Sequence, residues 1–310
     1  MARTPPVTIV VPVYGDLPSL KGCISSLVEH VDTSIHRVMF VNDCGPEADR
    51  LERYIQENLE GKKGYVYHRN SENLGFVGTC NRAALELDET GNDIMLLNSD
   101  TVVTSGFLEE MTAVLHSKKD IAVVTPRTNN ATLATIPLSA AKHKGIGMDR
   151  SYDLFQRMKP YMPRYHTVPV AHGFCMLIKR EVIDQHGLFD SAFGQGYGEE
   201  VDFCMRLSKQ GYRSVLSNRA YVFHLEAKSF TLEAKARMLE ENDQIIKHRY
   251  PDYSKIISEY VEKALRVEQK AQGKAGIRPH ELEPDFLKRI IKRWPPLYAL
   301  ARKAYRFLRR

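Results

Sequence analysis

The chain has 310 residues, 43% of them hydrophobic and 26% charged, which suits one large or two modest folded domains rather than a disordered or fibrous polymer. Its net charge of +6 is uneven, because residues 285–310 hold nine Lys or Arg and one acid, leaving 35 basic against 37 acidic residues elsewhere. That balance does not point to a nucleic-acid-binding surface on the main body. No run of about 18 apolar residues is present to cross a bilayer as a helix. The first residues, Met1 to Pro6, have no long apolar core behind a single basic residue, so no signal peptide is expected. Five cysteines (Cys23, Cys44, Cys80, Cys175, Cys204) form no CxxC pair. An odd, scattered set predicts reduced thiols in a cytosolic compartment rather than disulfides or a zinc site.

From residue 7 to about 125 the pattern alternates. Apolar, β-branched runs at 7–13, 37–41, 65–68, 94–97 and 121–125 are separated by helical periodicity at 17–30, 47–59, 77–87 and 106–116. Strands and helices alternating at this spacing predict an α/β fold whose mostly parallel sheet is covered on both faces. Residues 127–166 lose the rhythm and carry Asn129, Asn130, several Lys and His, and three prolines. A long structureless stretch of this kind predicts a lid or binding loop. Strands resume at 168–170 and 174–178, a helix follows over 200–210, and a last strand covers 221–223. Residues 231–272 read as charged helix, and 273–284 as a linker.

The ends of the strands carry the chemistry. The first strand closes in Pro12-Val13-Tyr14-Gly15-Asp16, without the glycine triplet of a dinucleotide site, and no Walker A or HExxH sequence occurs. Asp43 follows the second strand and Asp100 the fourth, on the rim where open α/β sheets place ligands. Asn98-Ser99-Asp100 forms a short hook suited to a hard divalent cation on a diphosphate, although a plain Asx turn has the same look. Glu199, Glu200 and Asp202 crowd the opening turn of a helix behind Gly196 and Gly198. Acids there complement the helix dipole. Mutual repulsion with partial burial would also raise at least one pKa, as a general base for a sugar hydroxyl requires.

These pieces together resemble the family 2 glycosyltransferases of the GT-A fold, and most closely the branch with bacterial rhamnosyltransferases. The likeness runs from Val7 to about Ser229. It rests on Val10-Val11-Pro12-Val13-Tyr14, Val41-Asn42-Asp43, Asn73-Leu74-Gly75-Phe76, Leu97-Asn98-Ser99-Asp100-Thr101, Gly173-Phe174-Cys175-Met176-Leu177-Ile178, Gly187-Leu188-Phe189-Asp190, Gly198-Glu199-Glu200-Val201-Asp202, and His224 with Ser229.

The resemblance implies a mixed, mostly parallel nucleotide-sugar-binding domain over residues 1–230; the pattern beyond it adds a helical extension over 231–272 and a linker with a basic tail over 273–310. It implies that Asp43 meets the base or ribose with the backbone near Pro12 and Tyr14, and that Arg69, Asn73 and Gly75 lie near the nucleotide and diphosphate. Asn98, Ser99 and Asp100 would form the donor-binding hook. Asp100 and His224 would hold Mn²⁺ or Mg²⁺, and Gly173 and Phe174 would line the acceptor side. Glu200 would be the base, with Glu199 the runner-up and Asp202 orienting the helix. Two departures stand out: the hook opens with neutral Asn98, and the usual Glu-Asp pair is Glu199-Glu200.

The implied reaction is an inverting transfer of a hexose or rhamnose-like deoxyhexose. Its donor would be UDP- or dTDP-linked, its acceptor a glycan or lipid-linked, and its setting cell-surface polysaccharide synthesis. Residues 285–310 place apolar side chains at helical spacing opposite basic ones, as helices lying in an anionic membrane interface do. The expected location is therefore the cytoplasmic membrane face, with packing of that stripe on the protein as the alternative. Two rival readings are a sugar-phosphate nucleotidyltransferase, which would need a basic glycine-rich loop after the first strand, and a non-catalytic module whose helices at 231–272 bind a partner or mediate self-association.

Overall fold

The computed structural model describes residues 4–139, 146–225 and 232–282. The first half alternates as β1 (Val7–Val13), α1 (Leu17–His30), β2 (Arg37–Asn42), α2 (Ala48–Leu59), β3 (Tyr65–Arg69), α3 (Gly75–Arg82, continued by a π turn) and β4 (Asp93–Leu97). There follow β5 (Thr101–Val103), α4 (Phe107–Leu115), β6 (Ile121–Arg127), α5 (Met148–Met158), β7 (Tyr165–Val168), β8 (Cys175–Ile178), α6 (Arg180–His186), α7 (Glu199–Lys209) and β9 (Arg213–His224). The helices α8 (Leu232–Arg249), α9 (Tyr253–Lys274) and one short turn, α10 (Pro279–Leu282), close the described chain.

The strands form one mixed sheet in the order β3-β2-β1-β4-β8-β6-β9-β5, with β7 beside β9. The stretch β3-β2-β1-β4 is parallel. Its central members β1 and β4 are buried almost throughout, because strands covered by helices on both faces have no solvent side to spend on polar residues. Pro12 has no N–H to give a ladder. It pairs with Val41 of β2, but the β1–β4 ladder ends earlier, at Val10–Leu96, so no bond on that side is lost. The strand order turns between β1 and β4, and that crevice receives the carboxyl ends of both.

Three expectations are corrected. The described residues of 127–166 are not structureless. They contain α5, and Ile136, Ile146, Leu154, Phe155 and Met158 build a third core with Tyr221 and Ala271. The helical spacing of Ser151, Leu154, Phe155 and Met158 was hidden among the Lys and Pro residues around it. The last strand is twelve residues long rather than three. The buried polar residues Ser214, Ser217 and Asn218 break its apolar run, and Asn218 is satisfied by Arg127 Nε at 2.8 Å and by the Pro163 carbonyl at 2.9 Å. Residues 273–282, the described part of the expected linker, begin inside α9 and bury Ile277 against the third core.

The C-terminal helices pack on the sheet rather than standing apart. Ile246 and Tyr250 join Phe193 and Phe203 in one core. Glu268 pairs with Arg127 at 2.7 Å, each side chain 1% exposed. Among the described residues no helix is long and apolar enough to cross a membrane. The basic segment 285–310 lies outside the described residues.

Candidate active site

The rim of the sheet is assembled by short polar bonds between loops. Asp43 is buried, and its N–H donates to the Val13 carbonyl at 2.8 Å. Its Oδ1 accepts from Asn70 Nδ2 at 2.8 Å and from the Leu74 N–H at 2.7 Å. Two donors on one oxygen fix the carboxylate before any ligand arrives. Tyr14 approaches so closely that a Cβ on Gly45 would lie 1.9 Å from the Tyr14 carbonyl oxygen, which leaves glycine as the residue that fits there.

Beside Asp43 opens a cavity of about 450 Å³, lined by Cys44, Arg69, Asn70, Ser71, Leu74 and Arg82. Arg69 lines it, but its guanidinium is engaged by Asp49 and Glu52 on α2, both at 2.7 Å. Arg82, which the sequence did not single out, donates to the Asn70 side chain and so sets the residue that sets Asp43. Asn73 Oδ1 accepts from the Gly75 N–H at 2.9 Å and turns the chain into α3. Gly75 has φ 71°, and a Cβ on it would meet Gln195 Cα at 2.8 Å. The close approach that Gly75 permits here is to the 193–198 turn.

The hook is held by a strand the sequence did not reveal. β5 pairs antiparallel with the end of β9, Thr101 opposite His224, which delivers Asp100 to the histidine. Asn98 donates its N–H to the Phe174 carbonyl at 2.9 Å, and Thr101 Oγ1 closes the turn on the Asn98 carbonyl at 2.7 Å. Ser99 is half-buried between them. His224 Nε2 lies 3.5 Å from Asp100 Oδ1, and its Nδ1 is 2.8 Å from the Asn130 carbonyl. A carbonyl only accepts, so Nδ1 carries a proton and Nε2 is the atom turned to the carboxylate. The ring is clamped by stacking on Phe174, centroids 5.0 Å apart, and by the Asn129 side chain bonded to the backbone N–H and C=O of His224.

An imidazole nitrogen and a carboxylate oxygen this close can share a proton or a cation. A divalent ion with bonds of about 2.1 Å has adjacent ligands about 3 Å apart, and a backbone carbonyl behind a ligating histidine is the usual outer support. The pair fits a divalent metal. Among the described residues no group of three or more His, Cys, Asp or Glu gathers around it.

The acids at the start of α7 divide into two kinds. Asp202 is 1% exposed and fully engaged: Oδ1 accepts from Arg249 at 2.8 Å and Tyr250 Oη at 2.9 Å, Oδ2 from Arg206 at 3.3 Å. It ties α7 to α8 and is not available as a base. Glu199 and Glu200 each keep a buried Oε2 with no hydrogen-bond partner. Burial raises both carboxyls, Glu199 well above the ordinary range with the charge of Glu200 adding to it. For Glu200 the backbone at residues 198 and 200 and the Glu199 side chain pull the other way. Burial and mutual repulsion favour a proton held between the two carboxyls. A Cβ on Gly173 would lie 4.0 Å from Glu199 Oε1, so Glu199 abuts the Gly173–Phe174 segment whose ring stacks on His224.

The structure thus brings Asp43, Asn73, Gly75, Asn98, Asp100, Gly173, Phe174, Glu199 and His224 along one continuous set of contacts. Sequence reasoning missed Asn70, Arg82, Asn129 and Asn130. Asn70 ends β3 just as Asp43 ends β2, and that rule alone would have found it. Asn129 and Asn130 follow β6, whose end lies two residues beyond the apolar run.

Known proteins bear on this geometry in two ways. By sequence, the chain is 30% identical over 165 residues to an uncharacterised protein of Mycobacterium tuberculosis, covering 51% of this chain and 56% of that one. It is 26% identical over 146 residues to the low-salt glycan biosynthesis hexosyltransferase Agl10 of Haloferax volcanii, covering 46% of each. The chain spans about half the length of these curated relatives. By structure, the mannosyltransferase PcManGT from Pyrobaculum calidifontis, solved with GDP-Man and Mn²⁺, superposes with a TM-score of 0.57 at 14% identity, over 96% of this chain and 84% of that one. That likeness shows the fold, a GT-A glycosyltransferase fold. The sequence profile of glycosyl transferase family 2 matches residues 8–187, more than half of the chain, and the protein belongs to that family.

Proposed function

We propose that the protein is an inverting, metal-dependent glycosyltransferase that moves a hexose or a rhamnose-like deoxyhexose from a UDP- or dTDP-linked donor to a glycan or lipid-linked acceptor of the cell surface. The observation that carries this reading is the Asp100–His224 pair, 3.5 Å apart, with the buried Glu199–Glu200 pair across the Gly173–Phe174 segment. A cation site and a poised carboxylate on one rim are what displacement of a nucleoside diphosphate by a hydroxyl needs.

In this reading Asp43, held by Asn70 and Leu74, receives the nucleoside beside the cavity of Cys44 and Arg82. Asp100 and His224 would hold Mn²⁺ or Mg²⁺, which supplies charge neutralisation for the departing diphosphate. Glu200 takes the proton of an acceptor hydroxyl. The hydroxyl oxygen forms the new bond to the anomeric carbon from the face opposite the diphosphate, whose bond breaks with its electron pair. One displacement inverts the anomeric configuration. A proton held between Glu199 and Glu200 would keep the pair at a single negative charge. Preorganised groups in a dry site act more strongly than in water, and both unpartnered Oε2 atoms mark that dryness.

The basic segment 285–310 would hold the enzyme on the anionic cytoplasmic face of a membrane, where a lipid-linked acceptor lies. One experiment tests the whole reading: nucleotide release measured over a panel of UDP-glucose, UDP-galactose, dTDP-rhamnose and GDP-mannose, with and without Mn²⁺. Metal-dependent release from one donor, accelerated by an acceptor, is expected. No metal-dependent release from any nucleotide sugar would end the proposal, and pyrophosphate formed from a sugar phosphate and a nucleoside triphosphate would replace it with nucleotidyl transfer.

A further inference from the structure

The turn that presents Glu199 and Glu200 is conformationally costly. Gly194 (φ 54°), Gly196 (φ 129°), Tyr197 (φ 69°) and Gly198 (φ 102°) all lie in the left-handed half of backbone space, and Tyr197 has a side chain that disfavours it. The helix behind the turn has no side-chain cap: Gly198 stands at the N-cap position of α7 with no side chain to offer. Something outside the turn must over-determine it.

That support comes from α8. Asn242 is buried, and its Nδ2 meets three carbonyls of the turn: Phe193 at 3.2 Å, Gly196 at 2.8 Å and Tyr197 at 2.8 Å. One amide nitrogen thereby fixes the direction of three peptide planes in five residues. On either side α8 grips the same segment again. Arg249 bridges Asp190 and Asp202, each at 2.8 Å, and Tyr250 Oη adds a bond to Asp202 at 2.9 Å. Ile246 fills the space beside Gly198, where a Cβ would lie 3.6 Å from its Cγ1. On the opposite side the turn is joined to α3 by the Phe76 N–H on the Gln195 carbonyl at 3.3 Å. The matched family segment ends at residue 187, so every one of these α8 contacts lies beyond it.

We propose that Asn242 is a positioning residue for proton transfer: from the C-terminal extension it locks the 193–198 turn in the conformation that sets Glu199 and Glu200 against the cleft. The proposal rests on the glycosyltransferase reading, and its test separates the two. The variants are Asn242→Asp, which keeps the shape but puts an acceptor where three acceptors already point, and Asn242→Ala, which removes the contact. Both are made in the full chain and followed by three measurements: hydrogen exchange of peptides spanning 190–202, calorimetric binding of UDP with Mn²⁺, and steady-state nucleotide release from the donor the wild type uses.

Exchange in the turn should rise at least about tenfold, with Asn242→Asp faster than Asn242→Ala. kcat should fall about 10- to 100-fold, as misplacement by about an ångström does, while donor KM and the UDP·Mn²⁺ affinity stay within about twofold. Wild-type exchange and kcat in Asn242→Asp would overturn the proposal. So would equal losses in kcat and affinity, or global unfolding of both variants, since each would make Asn242 a residue of general stability. If the wild type turns over no donor, the functional reading and the proton-transfer role fall together, and the exchange result alone decides whether Asn242 locks the turn.

Discussion

Glu268→Leu should destabilise the protein more than Arg127→Leu, although each removes half of the same ion pair. In the first variant the guanidinium of Arg127, 1% exposed, loses its carboxylate and cannot shed its charge. Removing one partner of a buried pair costs about 3–5 kcal/mol. The Leu138 N–H, which donates to Glu268 Oε2 at 2.7 Å, is orphaned as well, at about 1–3 kcal/mol. In the second variant Asn218 Oδ1 loses Arg127 Nε, an orphan of similar cost to the Leu138 N–H, but the stranded charge is a carboxyl that burial already raises, and it can take up a proton and keep its bond to Leu138. Its penalty is about 1.4 kcal/mol for each unit by which pH exceeds the ordinary carboxylate pKa, growing until pH reaches the raised folded value.

The two losses therefore differ by about 2 kcal/mol or more near pH 5, or roughly 5 °C in midpoint for a chain of this size. The pH trend follows from the same group. With its folded pKa raised above the unfolded one, the Arg127→Leu chain holds full stability below the ordinary carboxylate range and loses it as pH rises through the folded pKa. Thermal unfolding of both variants at several pH values from about 5 to 8 should show the gap narrowing toward alkaline pH. Equal midpoints at the acid end, or Arg127→Leu the weaker there, would refute the reasoning.

Three other outcomes are expected. Asp100→Ala should abolish Mn²⁺-dependent UDP binding in calorimetry and slow nucleotide release about a thousandfold or more, with an unchanged unfolding midpoint. Glu200→Gln should retain that binding and lose transfer to a similar extent; full activity would move the proton acceptor to Glu199. Because burial raises Glu199, its contribution to stability is present below the ordinary carboxylate range and lost as pH rises. Glu199→Gln, which cannot ionise, should thus gain stability relative to wild type between about pH 5 and 8 in urea titrations, and a steady relative loss would refute the burial argument.

The parallel half of the sheet was legible because its periodicity is local: each strand is a continuous apolar run ended by a polar residue, and that ending is also the site. Asp43 and Asp100 stood out for this reason. β5 was invisible because three residues carry no period, and only its pairing with β9 defines it. The packing of 127–166 was missed because its core is completed from Tyr221 and Ala271, far along the chain. Asp202 and Glu200 look alike in sequence, two acids in one helical turn. They differ in what α8 supplies, Arg249 and Tyr250 meeting Asp202 alone. The orientation of His224 toward Asp100 likewise depends on Asn129 and Asn130, 95 and 94 residues away. Local sequence reports which side chains are present, and tertiary contact decides which of them are already occupied.

The thiols have a practical consequence. Cys23, Cys80, Cys175 and Cys204 are buried, and burial pushes them up, Cys23 to about 12 and Cys204 to about 11. Electrophiles react with thiolates they can reach, so those four sulfurs are mute in the native protein. Cys44, half-exposed on the wall of the cavity beside Asp43, is the address that remains. A maleimide fluorophore or a trifluoromethyl tag would land there without mutagenesis and report occupancy of the neighbouring cavity directly.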